Sequence, residues 1–157
     1  MMALTRPAGL RQFRVRLSRE PAAAARARGH VRAVVADWNI PVDPDIAVLL
    51  TSDLVTSAIV RGAGETVTLA VRCSRGRLRV DVYDGSRDLP AAGGPATPPT
   101  GPGLALVAVL STAWGCFHTP AGRAVYFTLA FQPDLPPRKP PASRPAWKKP
   151  STSEEEM

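Results

Sequence analysis

The chain has 157 residues, 45% of them hydrophobic and 21% charged, which suits one globular domain carrying a tail. Its formal net charge is +7, yet all fifteen basic residues up to Gln132 are arginine, and they form no basic run. Beside abundant alanine and proline, this pattern points to the codon bias of a GC-rich genome rather than a phosphate-binding stripe, and it argues against direct nucleic-acid binding.

Residues 1–12 read as an N-terminal extension. Phe13, Val15 and Leu17 then alternate with Arg14, Arg16 and Ser18, the period of a half-buried strand. Pro21 occupies a favoured first-turn position for a helix, and Val31, Val34, Val35 and Trp38 give that helix an apolar stripe. Asn39-Ile40-Pro41 ends it.

Asp43 followed by Pro44 reads as a cap and first turn, opening a second helix that should run to about Arg61 and stop at Gly62 or Gly64. This helix is apolar on nearly every side, so burial on more than one face is expected. Asp53 stands alone as a charge in its middle. A buried carboxylate must be paired, protonated or in contact with a wet cavity. Two readings follow, an internal arginine pair or a ligand pocket.

Val67, Leu69, Val71 and Cys73 alternate as a strand, residues 74–76 turn, and Leu78, Val80 and Val82 alternate as its hairpin partner. That strand runs into Asp84-Gly85-Ser86. Residues 87–102 hold five prolines and three glycines, which admit neither helix nor central strand. "GLALVAVLSTAW" resumes as a helix, and "CFHTPAGRAVYFTLAF" reads as a hairpin with Val125, Phe127, Leu129 and Phe131 facing inward. Residues 133–157 carry seven prolines and mixed charge and read as a disordered tail. The order β-α-α-β-β-loop-α-β-β predicts an α+β fold, a two-layer sandwich with a mixed, mostly antiparallel sheet and its helices on one face.

Cys73 and Cys116 form no CxxC pair and read as reduced core thiols. The N-terminus lacks a continuous apolar stretch of signal-peptide type, and no apolar run approaches the roughly 20 residues that span a bilayer. A cytoplasmic protein without a membrane partner is the expectation. His30 and His118 are isolated and read as surface or packing residues, while Trp38 and Trp114 read as core at helix ends.

An acid in a buried helix, Asp-Gly at a strand end and a proline-rich loop leading into "GPGL" occur in an order that resembles the GHKL, or Bergerat-fold, ATPases, the ATP-binding domain of the histidine kinases. Within that group the likeness is closest to the small bacterial anti-sigma factors that act as serine/threonine kinases. It covers residues 13–131, nearly the whole folded part. Where the family carries a motif of the type E-L-V-T-N-A, this chain has Asp53-Leu54-Val55-Thr56-Ser57-Ala58. The resemblance puts Asp53 at the general-base position and Ser57 at the Mg²⁺ position, four residues apart on one helix face. Each replacement withdraws its oxygen by one bond, on the order of 1.5 Å.

By the same resemblance, Asp84 accepts a hydrogen bond from the adenine amino group, Gly85 follows it, and residues 87–100 form the ATP lid. Gly101, Gly103 and Leu104 match the family's G-x-G-L, whose backbone cradles phosphate. Read without the family, Asp84-Gly85 is a common turn dipeptide and "GPG" an ordinary loop exit. The resemblance implies ATP and Mg²⁺ as cofactors, a sigma factor and an anti-anti-sigma protein as partners, and a homodimer. It implies either a serine/threonine kinase that controls transcription by partner switching or, with Asp53 and Ser57 in place of Glu and Asn, a switching module that binds ATP weakly or not at all.

Overall fold

Alternation in the sequence becomes sheet wherever it is strict. In a computed structural model of the protein, which describes residues 10–87 and 104–131, Phe13, Val15 and Leu17 lie on strand β1 (Arg11–Ser18) with their side chains against the core. Helices α1 (Ala22–Asp37) and α2 (Pro44–Arg61) follow, then the hairpin β2 (Thr66–Ser74) and β3 (Arg77–Asp84). After the segment outside the described residues come the short helix α3 (Ala105–Leu110) and the hairpin β4 (Ala113–Thr119) and β5 (Gly122–Ala130).

The strands form one sheet in the order β1-β2-β3-β5-β4, and every neighbouring pair is antiparallel. The mixed sheet expected from the sequence is therefore corrected. Two helices between β1 and β2 return the chain to the end of the sheet where β1 finished, so β2 runs back antiparallel beside β1. β3 and β4 do run in the same direction, but β5 lies between them. The architecture is α+β, a five-stranded antiparallel sheet with helices on one face, consistent with a two-layer sandwich.

The layers meet through one apolar core. Leu69, Val71, Leu78, Val80, Phe127 and Trp114 from the sheet pack against Ala27, Val31, Leu50, Leu54 and Val55 from α1 and α2. Each Leu, Val or Phe fully withdrawn from water contributes about 1.5–3 kcal/mol. Asp43 caps α2 as its sequence suggests, its carboxylate accepting from Asp45 N–H at 2.9 Å. At the other end Gly62 is extended, and Gly64 carries the positive φ of 93°. Arg19, just past β1, donates to Ile59 O at 2.6 Å and Gly64 O at 2.7 Å. A cation thus satisfies a last-turn carbonyl of α2 and ties the turn after it to the sheet.

Two details differ from the sequence reading, whereas His30 packs as expected. The helix expected over "GLALVAVLSTAW" is only six residues long, and Trp114 belongs to β4, where it is 3% exposed. Ser111 and Thr112 make the change: the Ser111 hydroxyl donates back to Val107 O, whereas Thr112 N–H donates to Thr128 O on β5. The two cysteines are free, as expected, but half-buried at the margin of the core. His30 stacks near Phe13 at 5.2 Å, a packing role. Among the described residues, no helix is long and apolar enough to cross a membrane.

Candidate functional site

α2 is the element that gathers the candidate residues. At 100° per residue, Asp53 and Ser57 lie about 40° apart on one flank. The adjacent Ser52, about 100° round the helix from Asp53, instead meets α1, whose Arg28 donates to its Oγ at 3.0 Å. Ser57 is buried at 6% exposure. Asp53 is half-buried, and its Oδ2 is wholly withdrawn from water with no hydrogen-bond partner among the described residues. Three buried side-chain polar atoms are unpartnered among the described residues, and only this one belongs to an ionisable group. Burial alone pushes the Asp53 carboxyl above its usual 3.8, because the charged form loses solvation. Among the described residues, then, the arginine pair considered for Asp53 is not made.

Asp84, at the end of β3, abuts the C-terminal end of the same helix. Gly62 closes α2 directly against it, and a Cβ at position 62 would stand 2.8 Å from the Asp84 carboxyl carbon and collide with Ala58 O. Nine residues of helix separate Asp53 from Gly62, a distance along the axis of about 13 Å. One helix therefore presents at its middle a hydroxyl and an acid with one oxygen unpartnered among the described residues, and abuts a second carboxylate at its C-terminus.

The Asp84 carboxylate is buried and bonded at both oxygens. Oδ1 accepts from Ser86 N–H at 2.7 Å, and Oδ2 accepts from Arg123 Nε at 3.1 Å. The Arg123 and Asp84 side chains are 6% and 1% exposed, so this is an ion pair in the protein interior. Register explains it: β3 pairs with β5 with Asp84 opposite Arg123. Gly85 N–H donates to Ala63 O at 2.8 Å, joining the strand end to the turn after α2. Gly122 lets the start of β5 approach that strand end, since a Cβ there would meet Asp84 O and stand 2.7 Å from Gly85 Cα.

Sequence reasoning missed Arg123 and Gly62 as parts of this cluster. A signal for the first was available, because Arg123 shares the parity of the inward-facing Val125 and Phe127 and so must point into the protein. Leu104 is 3% exposed and sits in the core. Gly101 and Gly103, with nearly all of the expected lid, lie outside the described residues.

The donor set can be tested against the cofactors that the resemblance implies. A carboxylate offers about four lone-pair sites, so Asp84 can accept a further bond beside those from Ser86 and Arg123. For Mg²⁺, Asp53 and Ser57 supply two oxygens, and no group of three His, Cys, Asp or Glu residues is gathered for a metal among the described residues. Mg²⁺ commonly keeps several waters and takes one or two protein oxygens when phosphates supply the rest, so the pair suffices only alongside a nucleotide. No family model matches the chain, and no curated protein does.

Proposed function

We propose that this chain is an ATP-binding regulator similar to the anti-sigma factor serine kinases, acting on transcription by switching between a sigma factor and an anti-anti-sigma protein. The observation that carries the reading is α2 itself, which bears a buried Asp53 oxygen unpartnered among the described residues beside Ser57, and whose terminal Gly62, about 13 Å further along the axis, abuts the buried Asp84. Asp84 would hold the base, and its remaining lone pairs would favour a donor such as an exocyclic amine. Asp53 and Ser57 would hold the phosphate end with Mg²⁺, which supplies charge neutralisation there. Desolvation raises the affinity of the Asp53 carboxylate for a proton, which makes it a stronger base than a solvated one. Equilibrium titration of the full chain with ATP, with and without Mg²⁺, tests this reading. Saturable binding strengthened by Mg²⁺ is expected, and no binding by folded protein overturns it.

A second reading has its own observation. Arg123 already engages the carboxylate that would read the base, which favours a module of the same kind that binds nucleotide weakly or not at all. Asp53 and Ser57 are also each one bond short of the family's reach, and a misplacement of about 1 Å can cost roughly 100-fold in rate. Phosphate transfer to a serine of the cognate partner separates the two. If reach alone limits turnover, Asp53→Glu with Ser57→Asn raises it; an unchanged rate contradicts that explanation.

A further inference from the structure

The helices cover one face of the sheet, and alternation assigns the remaining side chains to the other. On that outer face lie Arg14, Arg16, Arg72, Arg77 and Arg79, against a single acid, Asp81. Asp81 is fully buried and already committed, accepting from Arg79 Nε at 2.8 Å and Arg79 Nη2 at 2.9 Å. Arg72 stands 3.9 Å from the same carboxylate. Arg14, Arg16 and Arg77 are exposed and have no carboxylate partner among the described residues.

These side chains are organised as well as charged. The Arg79 guanidinium lies 4.0 Å from the centre of the Tyr126 ring, and Arg14 lies 5.0 Å from that of Tyr83. Tyr126 in turn lies over Gly115, where a Cβ would stand 2.8 Å from its hydroxyl. Stacking on a ring and bidentate pairing fix a guanidinium before any ligand arrives, which lowers the entropy lost on binding.

We infer that this outer face is a docking surface for an acidic polypeptide segment of a partner protein. Charge complementarity selects the class of occupant. A second copy of the chain would oppose arginines with arginines, which disfavours a face-to-face dimer here. Single-stranded nucleic acid binds such sheets by stacking bases on open aromatic faces. The faces of Tyr83 and Tyr126 are instead taken by the protein's own guanidiniums, which leaves Phe117 as the exposed ring on this face among the described residues. Free guanidinium edges remain, and carboxylates match them bidentately. Five strands of this length make a face of about 19 by 25 Å, roughly 500 Å², which fits one peptide segment and a transient interface rather than a whole domain. This inference concerns the face opposite the helices and stands whether or not ATP binds at α2.

The test uses the full chain and a fluorescein-labelled polyglutamate peptide, read by anisotropy at physiological salt. Saturable binding is expected. Arg14→Gln, Arg16→Gln and Arg77→Gln together are expected to weaken it about tenfold, since each exposed pair contributes modestly. Removing the same charge from α1, by Arg26→Gln, Arg28→Gln and Arg32→Gln, is expected to leave affinity within about twofold. Equal losses from both triple variants would mean diffuse attraction and overturn the inference. Tighter binding of labelled oligo-dT or oligo-U to this face would overturn it in favour of nucleic acid. A dimer that the first variant dissociates would overturn it in favour of self-association. Peptide-induced amide shifts in the unaltered chain give an arm free of folding effects: shifts in β1 and β3 support docking here, and shifts confined to α1 and α2 refute it.

Discussion

Replacing Asp84 by alanine removes one partner of an interior ion pair and leaves the other charged. Arg123 is 5% exposed, so its guanidinium has little access to compensating water, and Ser86 N–H loses its acceptor at 2.7 Å. Breaking a buried pair on one side costs about 3–5 kcal/mol, and an unsatisfied buried N–H about 1–3. The two penalties overlap because the same cavity can relax or admit water, so the expected loss is about 3 kcal/mol. With a urea slope near 1.5 kcal/mol/M, the midpoint falls by roughly 2 M. Intrinsic fluorescence during urea unfolding reads this directly, because Trp114 is buried in the core. Asp84→Asn, which keeps an oxygen for Ser86 N–H, should lose about half as much. Asp84→Leu with Arg123→Met removes both charges and should recover most of the loss, as replacement of buried pairs by apolar residues often does. A loss below about 1 kcal/mol for Asp84→Ala at unchanged slope, or a double variant as unstable as the worse single one, would refute the claim that this pair holds the strand end.

Three further outcomes follow from the same geometry. Gly62→Ala should destabilise by about 1–3 kcal/mol and weaken any nucleotide binding, because the new methyl meets Ala58 O and the Asp84 carboxyl. Gly29→Ala, in α1 with nothing within 4 Å of the added Cβ, should stabilise by about 0.4–1 kcal/mol in the same unfolding assay. Asp53→Asn should raise the urea midpoint at about pH 7 and leave it unchanged at about pH 3. The sign follows from the raised carboxyl: as pH rises the unfolded chain releases its proton first, so ionising Asp53 lowers stability, and the cost is complete only above its folded value.

Strict patterns made most of the fold legible in the sequence. The alternations around Phe13, Val67 and Val80 became β1, β2 and β3, and Asp43-Pro44 opened α2 with the bond its side chain implies. The segment around Trp114 was not legible. Its apolar run fits helix or strand equally, and only pairing with β5, through Thr112 and Thr128, decides for the strand. At the site, Asp53 was conspicuous as a lone charge in an apolar helix, and its unpartnered oxygen bears out the oddity. Arg123 was not conspicuous, because an arginine in an arginine-rich chain draws notice only once strand parity turns it inward. Gly62 announced a helix end, whereas its contact with Asp84 is a tertiary fact that no local pattern encodes.

On the proposed reading a nucleotide would lie along α2, its base at Asp84 and its phosphates at Asp53 and Ser57. Amide chemical shifts of the full chain during titration with ATP and Mg²⁺ test this most directly. The account predicts saturable shifts at both ends of the site, at Asp53 and Ser57 and at Gly62 and Gly85, with the outer face of the sheet unaffected. Saturating ATP that moves none of these amides, or only those of the outer arginines, would contradict it.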